Sequence, residues 1–386
     1  MKQEEATAKL LLTLDPGTTD SKICYRTVEG GSLSSFKLLL MNSLTTIVSG
    51  ESIEAYESDR ITTPLPESEA WVKYDDEYYV TGFLAERFGA ILDKKALKYE
   101  GAIIKVLATV GAIAIKEGLG TSLDLALSIV LPYSEWQDRD KIRQELETAL
   151  ERFWFRGVEF SVRLETPPKC LPEGGGLLLT RGKKLGPAFN ESKIVSLMWG
   201  YRDLSVLTSH RNLMDGVTTK LGFLEMLEQI QKRTSGLEEK ELLMAVHKAG
   251  TKITARNLKH LAKSQNPKRR AEEVIGIAEA IKTVRADYWQ RVSRWLVMKL
   301  PKDSQEIVIG GGTAYYFHKE LRDFMAQNYQ ETKVYWSADL EKDVQTVFNL
   351  DPNKDSICVR LADAYGVFRF MQQQLFPKRS PILSRR

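Results

Sequence analysis

The apolar run KLLLTLD ends on Asp15, then turns through Pro16, Gly17, Thr18 and Thr19 toward Lys22. Those residue types suit phosphate chemistry. Small residues let backbone N–H groups converge on phosphate oxygens. A carboxylate at a strand end can hold magnesium directly or through water, and a lysine offsets phosphate charge. The same letters also make an ordinary hairpin, since Pro and Gly are common in turns. The pattern is not a Walker loop, which reads G-x-x-x-x-G-K-[ST] and opens a helix; here a second strand-like run, SKICYRTV, follows. Two further stretches carry related chemistry. EIVIGGGTAYY runs into Gly310, Gly311, Gly312 and Thr313, a turn whose bare backbone can admit a flat ligand or a tightly packed helix start. It lacks the spaced third glycine of a dinucleotide motif. In CLPEGGG, Glu173 precedes three glycines. It reads either as a carboxylate that orients a hydrolytic water or as a solvated loop residue.

Such groups need elements to hold them. Residues 9–40 read as a three-strand meander and residues 71–82 as a hairpin turning at Asp75-Asp76. Residues 41–69, polar and carrying Pro64 and Pro66, read as a loop-rich insertion. The apolar spacing of Ile103, Val106, Leu107, Val110, Ile113 and Ala114 predicts a helix over 98–116. LDLALSIVLPYSEW is a strand apolar enough to be covered on both faces, and a charged helix is expected over 138–152. A second cycle opens at SKIVSLMWGYRDLSVLTSHRN, again strand, tight turn, strand. Its turn, with Gly200, Arg202 and Asp203, takes the place that DPGTTDSK holds in the first cycle, which suggests a diverged duplication. Residues 218–300 read as helical with breaks at Ser235-Gly236, Gly250 and Asn266-Pro267, and a last helix is expected over 361–375. The stripe from Val274 to Trp295 at three- to four-residue steps is expected to pack a core.

At 386 residues the chain exceeds one compact core, so two domains or lobes are expected. Apolar residues at 43% and charged residues at 27% are those of a soluble globular protein. The polar first eight residues do not read as a secretory signal, and Lys105 interrupts the longest apolar run, so a soluble, cytoplasmic protein is expected. Cys24, Cys170 and Cys358 have no metal-ligand spacing and read as buried small hydrophobes. The four dispersed histidines give no support to structural zinc. A net charge of +4 does not announce a nucleic-acid binder. The basic clusters Lys268-Arg269-Arg270 and PKRSPILSRR read as a solvated loop and terminus, or else as a contact surface for DNA, an acidic partner or a next subunit.

Taken in order, DPGTTDSK, LSIVLPYSEW with PEGGG, WGYRDLSVL, IGGGTAYY and LADAYGVFRF resemble the five signature segments of the actin-like ATPase superfamily. The LPYSEW and PEGGG pieces are most similar to ParM-type plasmid-segregation actins. The resemblance spans about residues 10–376. It implies an α/β, two-lobed actin-like fold, with duplicated ribonuclease-H-like lobes and a nucleotide cleft between them. The first lobe would cover 1–190, with a small inserted subdomain at about 41–98, and would be completed by 350–386. The second would cover 191–349, with a helical subdomain at about 217–300. ATP or GTP with Mg2+ would be the ligand. Asp15 would hold the metal through its water shell, Gly17, Thr18, Thr19 and Lys22 the phosphates, and Gly310, Gly311, Gly312 and Thr313 the adenosine. Glu173 would help activate water. The second hairpin departs from the family's D-x-G-G, reading Met198-Trp199-Gly200-Tyr201. Arg202 at a phosphate or Asp203 at the metal would have to compensate, and slow hydrolysis is expected.

The implied function is a nucleotide-dependent filament that segregates or positions plasmid DNA. It would self-associate and work with a DNA-binding adaptor, with no membrane contact; whether it also touches DNA directly stays open. A nucleotide-gated scaffold with vestigial hydrolysis and a small-molecule kinase of the same fold are the alternatives. No acidic base for a substrate cleft presents itself, which weighs against the kinase. A chaperone would need a substrate domain after the last helix.

Overall fold

The computed structural model describes residues 8–91, 97–234, 236–351 and 355–377. Residues 1–7 and most of the basic tail, from 378 onward, lie outside the described residues. The chain divides into two compact units, one of residues 1–189 and 337–386, the other of residues 190–336.

In the first unit, β1 (Ala8–Pro16), β2 (Asp20–Glu29), β3 (Ser32–Leu33) and β4 (Lys37–Asn42) make the expected meander. The 41–69 stretch is more ordered than its polarity suggests. It holds β5 (Thr45–Val48) and the helix α1 (Gly50–Ser58), because Ser49 caps the helix by accepting the Ser52 N–H at 3.2 Å. The hairpin β6 (Glu69–Tyr74) and β7 (Glu77–Gly82) turns through Asp75 and Asp76, both with positive φ, as a type I′ turn requires. Then come α2 (Phe83–Arg87), α3 (Lys98–Glu117) and β8 (Ser122–Leu131). Pro132 ends β8, so Tyr133–Trp136 coils into the short α4 instead of continuing the strand, and α5 (Arg139–Glu151) follows. β9 (Phe153–Phe155), β10 (Val158–Leu164), β11 (Lys169–Pro172), α6 (Gly175–Leu185) and α7 (Ala188–Glu191) close this stretch. The sheet runs β3-β2-β1-β8-β10-β9-β6-β7-β5, with β4 added on β2 and β11 on β8. β1 lies parallel to β8, and β1 and β2 pair antiparallel in a register that sets Asp15 opposite Lys22. One buried core, led by Leu10, Leu12, Ile113 and Phe155, sits under α3 and α5. A separate small core around Ile53, Trp71 and Leu84 holds the α1–β6–β7 subdomain together.

The second unit repeats the device. β12 (Ile194–Trp199), β13 (Leu204–His210) and β14 (Leu213–Thr219) form a meander. The third strand replaces the expected start of helix at residue 218. Arg211 and Asn212, both at positive φ, turn the chain back on itself. Helices α8 (Phe223–Arg233), α9 (Glu239–Ala249), α10 (Ala255–Leu258) and α11 (Pro267–Lys299) follow, broken near the expected positions. Val274, Ile277, Ile281, Tyr288 and Val292 of α11 are buried in the core, as the stripe implies. β15 (Glu306–Gly310), α12 (Gly312–Tyr316), α13 (His318–Asn328) and β16 (Lys333–Trp336) complete a five-stranded sheet, β14-β13-β12-β15-β16, with β12 parallel to β15. This unit ends at Trp336 rather than at residue 349. The turn Ser337–Asp339 and α14 (Glu341–Val347) belong instead with the first unit, beside α15 (Asp355–Leu375). The final helix thus starts six residues earlier than its apolar letters indicate.

Among the described residues, no helix is long and apolar enough to cross a membrane. Cys24, Cys170 and Cys358 are buried and, among the described residues, form no disulfide.

Candidate functional site

β1 delivers Asp15 to the sheet end, buried, with Lys22 of β2 as its ion-pair partner through Oδ2. Oδ1 of the same carboxylate is fully buried and accepts no hydrogen bond, and the buried Thr18 hydroxyl, three residues on, is likewise unsatisfied. Burial works to raise the Asp15 pKa, but the charges of Lys22, Lys98 and Arg360 outweigh it and hold the carboxyl below its ordinary value. The group is therefore ionised at neutral pH with one oxygen uncommitted. Gly17 makes the turn tight: its N–H reaches the Asp15 carbonyl at 2.8 Å, and a Cβ would lie 2.5 Å from the Asp20 carbonyl oxygen. Ser43 braces the loop from β4's end, donating its hydroxyl to the Gly17 carbonyl and its N–H to the Thr19 carbonyl. Arg360 of α15 braces the other side, reaching Asp20 at 2.6 Å and the Thr19 hydroxyl at 3.3 Å.

Glu173 follows β11, with its side chain paired to Lys98 at the start of α3 and its N–H donated to Leu131 at 2.7 Å. Gly174 takes a left-handed conformation, φ +88°, so the chain can swing into α6. The buried Asp363 of α15 caps that helix, accepting N–H groups from Gly174 and Gly176 at 2.8 Å and from Leu177 at 3.2 Å. Burial pushes the Asp363 pKa up to about 7; the backbone donors pull it down, while the negative charges of Asp15 and Glu173 push it higher. Asp15, Lys22, Lys98, Glu173 and Asp363 thus share one electrostatic environment in the first unit. Lys98, Arg360, Asp363 and Ser43 were not sequence candidates. A lysine opening a helix looks like an ordinary solvent-facing residue until the fold turns it inward, whereas Asp363 stands in the otherwise apolar LADAYGVF, a signal of burial.

In the second unit the turn after β12 is closed by Gly200 N–H to the Asp203 carbonyl at 2.9 Å. Arg202 and Asp203 are both buried and paired at 3.2 Å, and Lys220 meets the second Asp203 oxygen at 3.0 Å. Met198, where the family pattern has an aspartate, is half-buried and lies in register with Gly310 on β15. The glycine turn packs straight onto this hairpin. Gly311 has φ +98°, and a Cβ there would sit 2.4 Å from the Trp199 carbonyl oxygen. The Thr313 hydroxyl donates to the Gly200 carbonyl at 2.7 Å. Gly312 opens α12. Gly200, Arg202, Asp203, Gly311 and Thr313 are therefore one local assembly, and much of the glycine requirement at 311 is close approach of backbone to backbone.

Magnesium held by a nucleotide needs one protein carboxylate or its water shell, the remaining ligands being phosphate oxygens and water. Asp15, with its buried unsatisfied oxygen, the Thr18 hydroxyl and the side-chain-free Gly17, fits that demand. Among the described residues, no cluster of three His, Cys, Asp or Glu side chains could bind a metal alone.

No protein-family model matches the chain, and no curated protein matches its sequence. Solved structures do match its fold. The actin-like protein Alp7A covers 95% of this chain and 97% of its own at 13% identity, with a TM-score of 0.60. A ParM from Clostridium botulinum, solved as a 15-stranded filament, covers 95% and 99% at 12% identity, with a TM-score of 0.59. Ta0583, an archaeal actin homologue, covers 94% and 99% at 13% identity, with a TM-score of 0.57. The chain has an α/β actin-like fold of the ParM type.

Proposed function

We propose that this chain is a nucleotide-dependent, filament-forming actin-like protein that binds ATP or GTP with Mg2+. Its proposed task is plasmid segregation or DNA positioning together with a DNA-binding adaptor. The observation that carries the reading is the ionised, half-satisfied Asp15 beside Gly17 and Thr18, in a fold shared along nearly its whole length with a ParM that forms filaments.

When bound, Mg2+ neutralises phosphate charge and polarises the bond to be cleaved. Asp15 is proposed to orient the metal's water shell, and Gly17, Thr18 and Thr19 to present backbone and hydroxyl donors to phosphate. Lys22, already held at Asp15, adds positive charge there. Gly310, Gly311, Gly312 and Thr313 are proposed to lie along the adenosine. Glu173 is the proposed base-side carboxylate, which must leave Lys98 or share it to orient a water. Asp203 already serves two cations, Arg202 and Lys220, and Met198 supplies no carboxylate. Slow hydrolysis follows, and the same two facts favour the second reading, a nucleotide-gated scaffold with vestigial hydrolysis.

Sedimentation and light scattering of the purified chain with Mg2+ and ATP or GTP test the proposal. Nucleotide-dependent pelleting that Asp15→Ala abolishes is the expected result. A chain that binds nucleotide yet stays in the supernatant under all salt conditions would overturn the filament reading.

A further inference from the structure

Between Gly250 and Arg270 the chain carries seven basic residues and no acid: Lys252, Arg256, Lys259, Lys263, Lys268, Arg269 and Arg270. All seven are exposed, because Ile253, Leu258, Leu261 and Ala262 turn the other face of this segment into the core. Lys263 and Arg270 reach backbone carbonyls, of Gly236 and Lys259. Among the described residues, Lys252, Arg256, Lys259, Lys268 and Arg269 form no ion pair. Three of these cations occupy the first turn of α11, which contains no acid. A helix start is its positive end, so this placement weakens the free helix. The α11 N–H groups at that end are already capped by Asn266, which accepts from Lys268 and Arg269. The patch is thus a surface of side-chain charge, and an anionic partner would relieve it.

The same chain carries the opposite surface. Residues 41–91 hold ten acidic residues against three basic ones. Glu51, Glu54, Asp59, Asp75, Asp76, Glu77 and Glu86 are exposed there. Glu51 and Glu54 are three apart on α1 and share a face. Just beyond that helix Ile61 is 98% exposed and Leu65 63% exposed; apolar side chains set among charges are common in contact surfaces. The net charges of the two segments, minus seven and plus seven, are equal and opposite.

Resting on the self-association reading above, we infer that the acidic α1 subdomain of one copy docks on the basic Lys252–Arg270 arc of the next. Two different surfaces can pair heterologously, and such a contact propagates as an open filament when the rotation between successive copies does not close. A duplex DNA would satisfy only the basic arc, whereas a second copy satisfies both surfaces.

Two variants test the pairing. One carries Lys268→Glu, Arg269→Glu and Arg270→Glu; the other carries Glu51→Lys, Glu54→Lys and Asp59→Lys. All six positions are exposed, so circular dichroism should match the wild type. The first variant should melt at or slightly above the wild type and the second at or slightly below it, as the helix-end charges require. With Mg2+ and the nucleotide that assembles the wild type, each variant alone should need at least ten times the wild-type concentration to pellet. An equimolar mixture should pellet again within about threefold of the wild type, because each variant then offers the other two complementary surfaces. Variants that pellet like the wild type, or a mixture that stays soluble, overturn the interface while leaving the filament reading standing. If the first variant assembles normally but releases a duplex DNA that the wild type retards, the arc is a polyanion site and the interface is wrong. A wild type that binds nucleotide but never assembles overturns the filament reading itself, and this interface with it.

Discussion

Asp363 caps the N-terminus of α6 from across the first unit, its carboxylate receiving the N–H of Gly174, 189 residues away in sequence, at 2.8 Å. Glu173 is the residue before that donor, so α15 fixes the turn that carries it. Close packing reinforces the link, since a Cβ on Gly176 would lie 2.0 Å from the Asp363 carbonyl oxygen. Removing the cap in Asp363→Ala leaves buried backbone donors without partners and should cost about 3 kcal/mol. Asp363→Asn, which keeps one acceptor, should cost less. Denaturant titration of the three proteins checks the order.

The same carboxyl predicts a pH dependence with a definite sign. Burial raises its folded pKa to about 7, above an unfolded value of about 3.9. Its contribution to stability is then full below about pH 4 and is lost as pH rises through 7. Between pH 5 and 7 the wild type should lose stability relative to Asp363→Asn, by at most about 1.4 kcal/mol per pH unit, and the difference should level off above. Asp15 acts in another window: its pKa is depressed, so its contribution is lost only as pH falls below the ordinary carboxylate range. A difference between the two proteins that is flat or grows with pH would refute the assignment.

Two glycine-to-alanine changes should move stability in opposite directions. At Gly311 the backbone is left-handed, and the new Cβ would strike the Trp199 carbonyl oxygen, which belongs to a strand and has no room to retreat. Gly311→Ala should destabilise by more than about 2 kcal/mol. Gly276 lies on the exposed face of α11, and a methyl group there would meet nothing within 4 Å. Gly276→Ala should stabilise by about 0.5–1 kcal/mol through helix propensity. Thermal melting of both variants checks the contrast.

Much of this was legible in the letters, and the reason is locality. The Asp15-to-Lys22 hairpin, α3, the α11 stripe and the glycine turn are set by neighbours within a few residues, where periodicity and turn chemistry act. The strand β14 was hidden because its type I′ turn is Arg211-Asn212 without the usual glycine. Helix α1 was hidden because its polar letters bury only Ile53 and Tyr56, and a single serine cap starts it. The Lys98–Glu173 pair and the Asp363 cap join residues far apart in sequence. No local pattern marks such partners, although an aspartate in the otherwise apolar LADAYGVF is a signal that a buried donor set awaits it.

Asp15 separates binding from folding. Its Oδ1 makes no internal bond, while Oδ2 holds Lys22. Asp15→Asn removes the charge that would orient magnesium, so Mg2+-dependent nucleotide affinity should fall at least tenfold, equivalent to about 1.4 kcal/mol. Affinity measured in EDTA should change far less. Isothermal titration with and without Mg2+ provides both readings. Equal losses in the two conditions would mean that the carboxylate shapes the loop without serving a metal.

Asp203 differs in its charges. Like Asp15 it has a buried Oδ1 that accepts no hydrogen bond, but that oxygen lies 3.0 Å from the Lys220 ammonium while Oδ2 pairs with Arg202. Arg202 is buried with it, whereas Lys220 is 67% exposed and meets it from solvent. Removing the acid takes a buried ion-pair partner from Arg202, so Asp203→Ala should destabilise the second unit by about 3 kcal/mol. Lys220→Ala should cost under about 1 kcal/mol, as expected of a pair with one solvated partner. The two variants also decide whether Asp203 makes up for the missing aspartate at Met198. If it does, single-turnover hydrolysis at a temperature where Asp203→Ala is still folded should drop at least tenfold, and Lys220→Ala, which frees one oxygen, should hydrolyse as fast as the wild type or faster. Unchanged hydrolysis in a folded Asp203→Ala would leave Asp203 a purely structural partner of Arg202 and would place the slow chemistry on Glu173 alone.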